Sequence, residues 1–299
     1  MSTLRQTNRW RAEAPAGRGA LAAVILLSSM SFVAACAPVE EMSRTYQKKS
    51  VAEVSLGRSC PQCDLRYQSF KNLDLSGANF KGTYFFNVNF NRSVLVGADF
   101  ESATLVFADF GRADLSNAKM TKADLTRASM YGATLRGADL TFATLHEAAM
   151  EAVELTGADL TTASLRGAKL TNAFADRANF RSADLKGAIL ADANLANANL
   201  EGADLTGADL SGADLTMANL QNAQLKGANL SNAIIDYTIL IEADLSDADL
   251  RGARIHGANL KRADFSRANL QDAQISSVLK DRTNYCNALM PNGDRGECE

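Results

Sequence analysis

The sequence predicts an all-β fold: a four-sided parallel β-helix of about 10–11 coils. Three observations carry this. First, a large apolar residue returns at every multiple of five from Leu65 to Ile275, and no insertion breaks the phase. Of these 43 centres 28 are Leu and eight are Phe, with only Ala175 small, and a period of five suits neither an α-helix nor a flat strand. Second, 35 of the 43 centres have Ala two places before them, so each side offers the interior one large and one small group. Third, like centres recur 20 residues apart. Phe70, Phe90 and Phe110 are followed by Met130 and Met150; Phe80 and Phe100 by Met120; and Ile235, Ile255 and Ile275 make a third column. Rings inside a narrow tube stack best on rings, so four five-residue sides make one coil.

Each side is then a short extended piece and a corner. Of the 20 glycines, 14 stand two places after a centre, as Gly77, Gly137 and Gly207 do, which marks a corner needing positive φ. No proline lies between Leu65 and Ile275, as required where backbone N–H groups bond coil to coil. At a strand spacing of about 4.8 Å the rod is roughly 50 Å long. The three remaining positions of each side are expected to face water.

The segments GADLTGADL, from Gly202, and ANLQNAQLKGANL, from Ala218, follow the pattern A-(D/N)-L-x-x. In this the chain resembles the pentapeptide-repeat family over about 70% of its length. The resemblance implies a right-handed, quadrilateral β-helix.

Ahead of the repeats, Arg5, Arg9, Arg11 and Arg18 precede an apolar run, Ala20 to Ala35, that is short for a membrane span. The run ends in VAAC, Val33 to Cys36, which resembles the lipobox of bacterial lipoproteins. Residues 1–35 are thus expected to be a signal peptide and Cys36 the acylated N-terminus; an ordinary cleaved leader or an uncleaved anchor are the alternatives. The formal charge of −3 becomes −6 without those residues, which argues against a nucleic-acid-binding surface. The polar residues that follow Cys36, up to 59, are expected to be a tether, with a short helix as an option. Flexible, they would span roughly 27 Å.

Beyond Cys36 four cysteines remain, and an even number in an exported chain points to disulfides. Cys60 and Cys63 fall at one end of the expected rod, Cys286 and Cys298 at the other. A disulfide needs Cα atoms within about 7 Å, so the expected pairs are 60–63 and 286–298. CPQCDL also resembles the first coil of family members. The repeat body is expected over 60–279 and a C-terminal cap over 280–299, because Lys280 interrupts the centres and Pro291 with Gly293 marks a turn.

No chemistry-bearing constellation breaks the repeat. His146 and His256 fall on opposite sides of the rod, and the Asp and Asn before many centres repeat everywhere without marking a cleft. No catalytic residue, cofactor or metal site is expected, and no groove of carboxylates or basic residues that would serve a β-helical polysaccharide enzyme. Two apolar groups do stand at outward positions: Tyr84, Phe86, Val106 and Phe107; and Ile234, Tyr237, Ile239 and Ile241. Clustered exposed apolar groups mark interfaces. A corner that tucks a residue inward, or cover by the tether, are the alternatives. At Phe174 and Ala175 the large and small residues look exchanged, and a bulge turning Phe174 inward is expected.

The resulting expectation is a non-enzymatic rod at the bacterial envelope. It would be joined to the membrane through an N-terminal lipid and would serve as a scaffold or interaction module for an unidentified protein partner or a second copy. The alternative, should the chain stay unexported, is a DNA-mimicking topoisomerase-binding protein, the role that resemblance to the quinolone-resistance members of the family implies.

Overall fold

The computed structural model describes residues 47–298. Five elements are long enough to name: β1 (Gln47–Lys48), α1 (Val51–Gly57), β2 (Cys63–Asp64), β3 (Arg254–His256) and β4 (Gln274–Ser276). β1 pairs in parallel with β2, and β3 with β4. Everything between is built from single-residue parallel bridges, one per side, each joining a residue to the one 20 later. Asp184 bridges to Asp204, and Asp204 to Gln224. Four corners separate successive levels, which makes a four-sided parallel β-helix.

The hydrogen bonds of one side explain the repeat. At Leu205 the N–H donates to the Gln224 carbonyl of the next coil (2.7 Å), as does Gly207 to Lys226 (3.0 Å). Asp204 donates back to Ala183 (2.9 Å), and Ala208 closes the corner onto Leu205 (2.9 Å). Four of the five amides are thereby bonded to backbone. The fifth, one place after the centre, donates to a side chain: Thr206 N–H reaches Asp204 Oδ1 at 3.1 Å. The same bond forms from Ser76 to Asp74, Glu101 to Asp99 and Ser231 to Asn229. Asp and Asn favour this local acceptor role at turns. An Asp or Asn that makes this bond before the centre, as Asp204 does, is therefore half-buried and structural, where open solvation is the expectation from sequence.

Two places after each centre the backbone enters the left-handed region. Gly207 has φ 64°, and the non-glycine corners cluster near the same value. Inside, every centre from Leu65 to Leu270 is buried, together with each Ala that stands two places before one. Phe70 stacks on Phe90 at 5.2 Å and Phe90 on Phe110 at 5.1 Å, while Phe85 meets Phe80 and Phe90 edge-on. Ala175 is buried and Phe174 is 51% exposed in regular register between Glu154 and Asn194. No bulge turns Phe174 inward: the bridge position points out whatever occupies it, and the core accepts Ala at the centre.

Residues 47–57, expected within the tether, form β1 and α1. Ser50 caps the helix reciprocally with Glu53, and Arg58 ends it in the left-handed conformation. The physical reason is the open tube end, over which α1 lays the fully buried Val54. Cys60 and Cys63, both buried, are joined by a disulfide, as are Cys286 and Cys298. At the far end the coil runs past the expected boundary at 279. Leu279, Asn284 and Leu289 still bridge to the coil before, and Leu289 pairs antiparallel with Arg295. Tyr285 and Met290 resume the centre phase that Lys280 breaks; Tyr285 stacks on Phe265 at 5.4 Å, and burial pushes its hydroxyl up to about 12.

Two predictions follow from this frame. Leu205→Asp is expected to cost about 4 kcal/mol or more, because it places an unpaired carboxylate in the core. Asp204→Asn keeps the Oδ1 acceptor and loses only the ion pair with Lys186, 2.7 Å and partly exposed, so it costs about 1 kcal/mol or less. Thermal melts of the two variants check the phase. In acid, burial opposes the charge on Asp139 and Asp204. Thr141 with Thr121 at the first, and Lys186 with Thr206 at the second, outweigh it and hold both carboxyls below their usual range. A depressed carboxyl contributes stability above its unfolded pKa and loses it as pH falls through the folded value. The melting temperature should therefore stay level from neutral pH to about pH 5 and drop below about pH 4, with a shallower drop in a double Asn variant.

Candidate interaction surface

The left-handed corners put side chains where they reach furthest into solvent. Tyr67, Phe107, Phe142, Met217 and Tyr237 all occupy such corners, with φ between 53° and 61°. Each is at least 41% exposed. A bulky residue there is disfavoured relative to glycine, so neither the backbone nor the core accounts for these choices.

Two of these rings, Phe107 and Tyr237, belong to the apolar groups seen in the sequence. Phe86, half-buried, is met edge-on by Tyr67 at 5.7 Å and by Phe107 at 5.6 Å. The Arg127 guanidinium lies 5.9 Å from the Phe107 ring centre and pairs with Glu147 at 2.7 Å. Tyr84 and Val106 flank this ladder, both half-buried, and the Arg66 guanidinium lies over the Tyr84 ring. Tyr67 is the member missed from sequence; it stands one coil above position 87 at the same corner, and column spacing alone would have found it. In the second group Tyr237 and Ile239 are exposed, and Ile234 and Ile241 are half-buried. Met217, 57% exposed, shares the Tyr237 corner one coil earlier and was missed in the same way. Gly257 continues that column: a Cβ there would stand 2.6 Å from the Tyr237 ring, so the glycine gives the ring its place.

One column brings Asp236, His256 and Ser276 together, a set of residue types that acid–base catalysis uses. The geometry does not join them for it. Asp236 accepts from the His256 backbone N–H (3.2 Å) and pairs with Arg254 (2.6 Å), while the imidazole Nδ1 meets Ser276 Oγ at 2.9 Å. The carboxylate thus orients no imidazole nitrogen. His146 stands elsewhere, with Nε2 2.7 Å from Ser164 Oγ. Among the described residues no group of His, Cys, Asp and Glu could hold a metal ion, and no helix is long and apolar enough to cross a membrane. Cys36 lies outside the described residues.

A family described as pentapeptide repeats matches the sequence in eight copies, over residues 60–232 and 243–278. The chain belongs to the pentapeptide-repeat family. Its β-helix is the right-handed quadrilateral one. No curated protein matches it. Among solved structures it is similar to HetL of the cyanobacterium Nostoc sp. strain PCC 7120, described as involved in heterocyst differentiation regulation. The two are 28% identical over 86% of this chain and 96% of that one, with a TM-score of 0.34. A pentapeptide repeat protein of the Arabidopsis thaliana thylakoid lumen is 34% identical over 40% of this chain and 72% of its own, TM-score 0.19. QnrB1, a plasmid-mediated fluoroquinolone resistance protein, is 16% identical over 73% of this chain and 89% of its own, TM-score 0.31.

For this pentapeptide-repeat protein the aromatic ladder makes a direct prediction. Phe86→Ser with Phe107→Ser should leave the melting temperature within a few degrees, because the ladder lies outside the tube. Self-association or partner capture should weaken at least tenfold, each ring fully buried against a partner contributing about 1.5–3 kcal/mol. Light scattering and crosslinking of the wild type beside the double variant check it; a large fall in melting temperature would place the rings in the core.

Proposed function

We propose that this pentapeptide-repeat protein is a non-catalytic rod of the bacterial envelope, anchored by acylated Cys36, whose work is to hold a protein partner. The observation that carries the interaction reading is the ladder Tyr67–Phe86–Phe107, whose outer rings Tyr67 and Phe107 stand on corners where glycine fits best. A rigid solenoid suits such a role, since its side chains keep fixed spacing along the rod. A second copy of the chain is the simplest occupant of the ladder. The envelope reading rests on the arginines, the apolar run and VAAC within residues 1–36.

The surface charge supports this reading over DNA mimicry. Lys and Arg lie among the carboxylates and pair with them, as Lys81 does with Glu101 and Arg267 with Asp247 across one coil. A duplex-like surface needs uncompensated negative charge along its length. Cys36→Ser is expected to abolish acylation and move the protein from the membrane to the soluble fraction on cell fractionation. Unchanged partitioning with an intact N-terminus by mass spectrometry would instead make the leader an uncleaved anchor.

A further inference from the structure

Thirteen arginines lie between Arg58 and Arg267. Eleven of them pair with a carboxylate within 4.0 Å. Among the described residues the two with no carboxylate within that distance, Arg92 and Arg112, stand one coil apart at the same left-handed corner, with φ 57° and 56°. Coils repeat at about 4.8 Å, so two like charges stand on neighbouring coils with no ion pair among the described residues, in a chain that is acidic overall. Such a pair destabilises the free rod and is complementary to an anion.

A cleft of about 520 Å³ opens between them, and its lining is unlike the rest of the surface. Gly111 sits one place after its centre, outside the left-handed region, so the backbone does not ask for glycine there. Space does: a Cβ would stand 2.7 Å from Asn91 Nδ2 and 3.1 Å from Asp109 Oδ1. The missing side chain leaves a notch, and the Tyr131 ring, 54% exposed, stands one coil beyond it. Gly132 follows Arg112 one coil later at the same left-handed corner, with φ 60°. Ser129 adds a hydroxyl to the lining, and Asp109 accepts the Gly111 N–H at 2.9 Å.

We propose that this cleft binds an acidic sugar, a uronic acid residue of a polysaccharide. The guanidiniums of Arg92 and Arg112 take the carboxylate, which suits the planar guanidinium fork. Asn91, Ser129 and Asp109 supply donors and an acceptor for ring hydroxyls, and Tyr131 offers its face to the sugar ring. An acidic peptide side chain would engage the two arginines and leave the other groups unused. A doubly charged phosphate would meet the Asp109 carboxylate at greater cost than a carboxylate does. This surface lies one corner away from the aromatic ladder, so the two functions are independent.

The test is calorimetric titration of the full chain with tetragalacturonate, with galactotetraose, tetraglutamate and inorganic phosphate as the comparison arms. Saturable binding of tetragalacturonate is expected, at least tenfold tighter than any of the other three. Arg92→Ala and Arg112→Ala should each weaken it tenfold or more, Tyr131→Ala several-fold, and Arg251→Ala, an ion-paired arginine elsewhere, not at all. Circular dichroism melts accompany each variant. Where an alanine variant melts early, Arg112→Gln keeps the stem and takes its place. No saturable binding, binding indifferent to Arg92 and Arg112, or equal binding of tetraglutamate or phosphate would overturn the proposal. None of these outcomes bears on the self-association test of the ladder.

Discussion

The structure depends on one constraint: a five-residue side has five backbone donors and only four of them can find backbone acceptors. Three bond to neighbouring coils and one closes the corner. The amide just after the centre is left over, and where Asp or Asn stands before the centre its side chain receives it. A buried amide without a partner is costly. The other features follow. Proline would remove a donor the scheme uses. The corner must enter the left-handed region to bring the next side round by a quarter turn. The inward positions are left with room for one large and one small side chain.

This explains how much could be read from sequence. The core positions were legible because 211 residues keep one phase, and the column alignment of the Phe, Met and Ile centres gave the number of sides. The role of the Asp and Asn positions was not, because hydrogen bonding to one's own backbone leaves no periodicity that solvation would not also leave. Phe174 misled for a related reason: size was taken to decide direction, whereas the backbone had already done so. The ends were harder still. The capping box at Ser50 and Glu53 is a local signal inside a stretch whose polarity reads as linker, and Lys280 hides the return of the phase at Tyr285 and Met290. At the surface Tyr67 and Met217 were overlooked because neighbours there lie 20 residues apart, not beside one another in the chain.

The aromatic ladder and the arginine cleft share the N-terminal coils, and so does the irregular part of the core. Six phenylalanines crowd the interior between Phe70 and Phe110, and Thr83, Val88 and Ser93 stand there in place of Ala. Farther along, the core becomes nearly uniform Leu with Ala. The bulkiest core residues are thus concentrated in one third of the rod, where six of the eight buried phenylalanines lie. The remainder holds regular geometry and sets the distance to the C-terminal cap.

The identity of the four sides has a consequence for how such a chain can change over evolutionary time. Every side presents the same interior, so gaining or losing one pentapeptide leaves the core able to re-form. The exterior has no such freedom. A five-residue deletion between Arg92 and Phe107 would rotate everything downstream by a quarter turn, carrying Phe107 to a different side from Tyr67 and Arg112 to a different side from Arg92. A five-residue change would thus dismantle both surfaces at once, whereas a change of a whole coil of 20 residues would only slide residues along the axis. Length in this lineage should accordingly be gained or lost in whole coils wherever surface residues act together, and in single pentapeptides only where they do not.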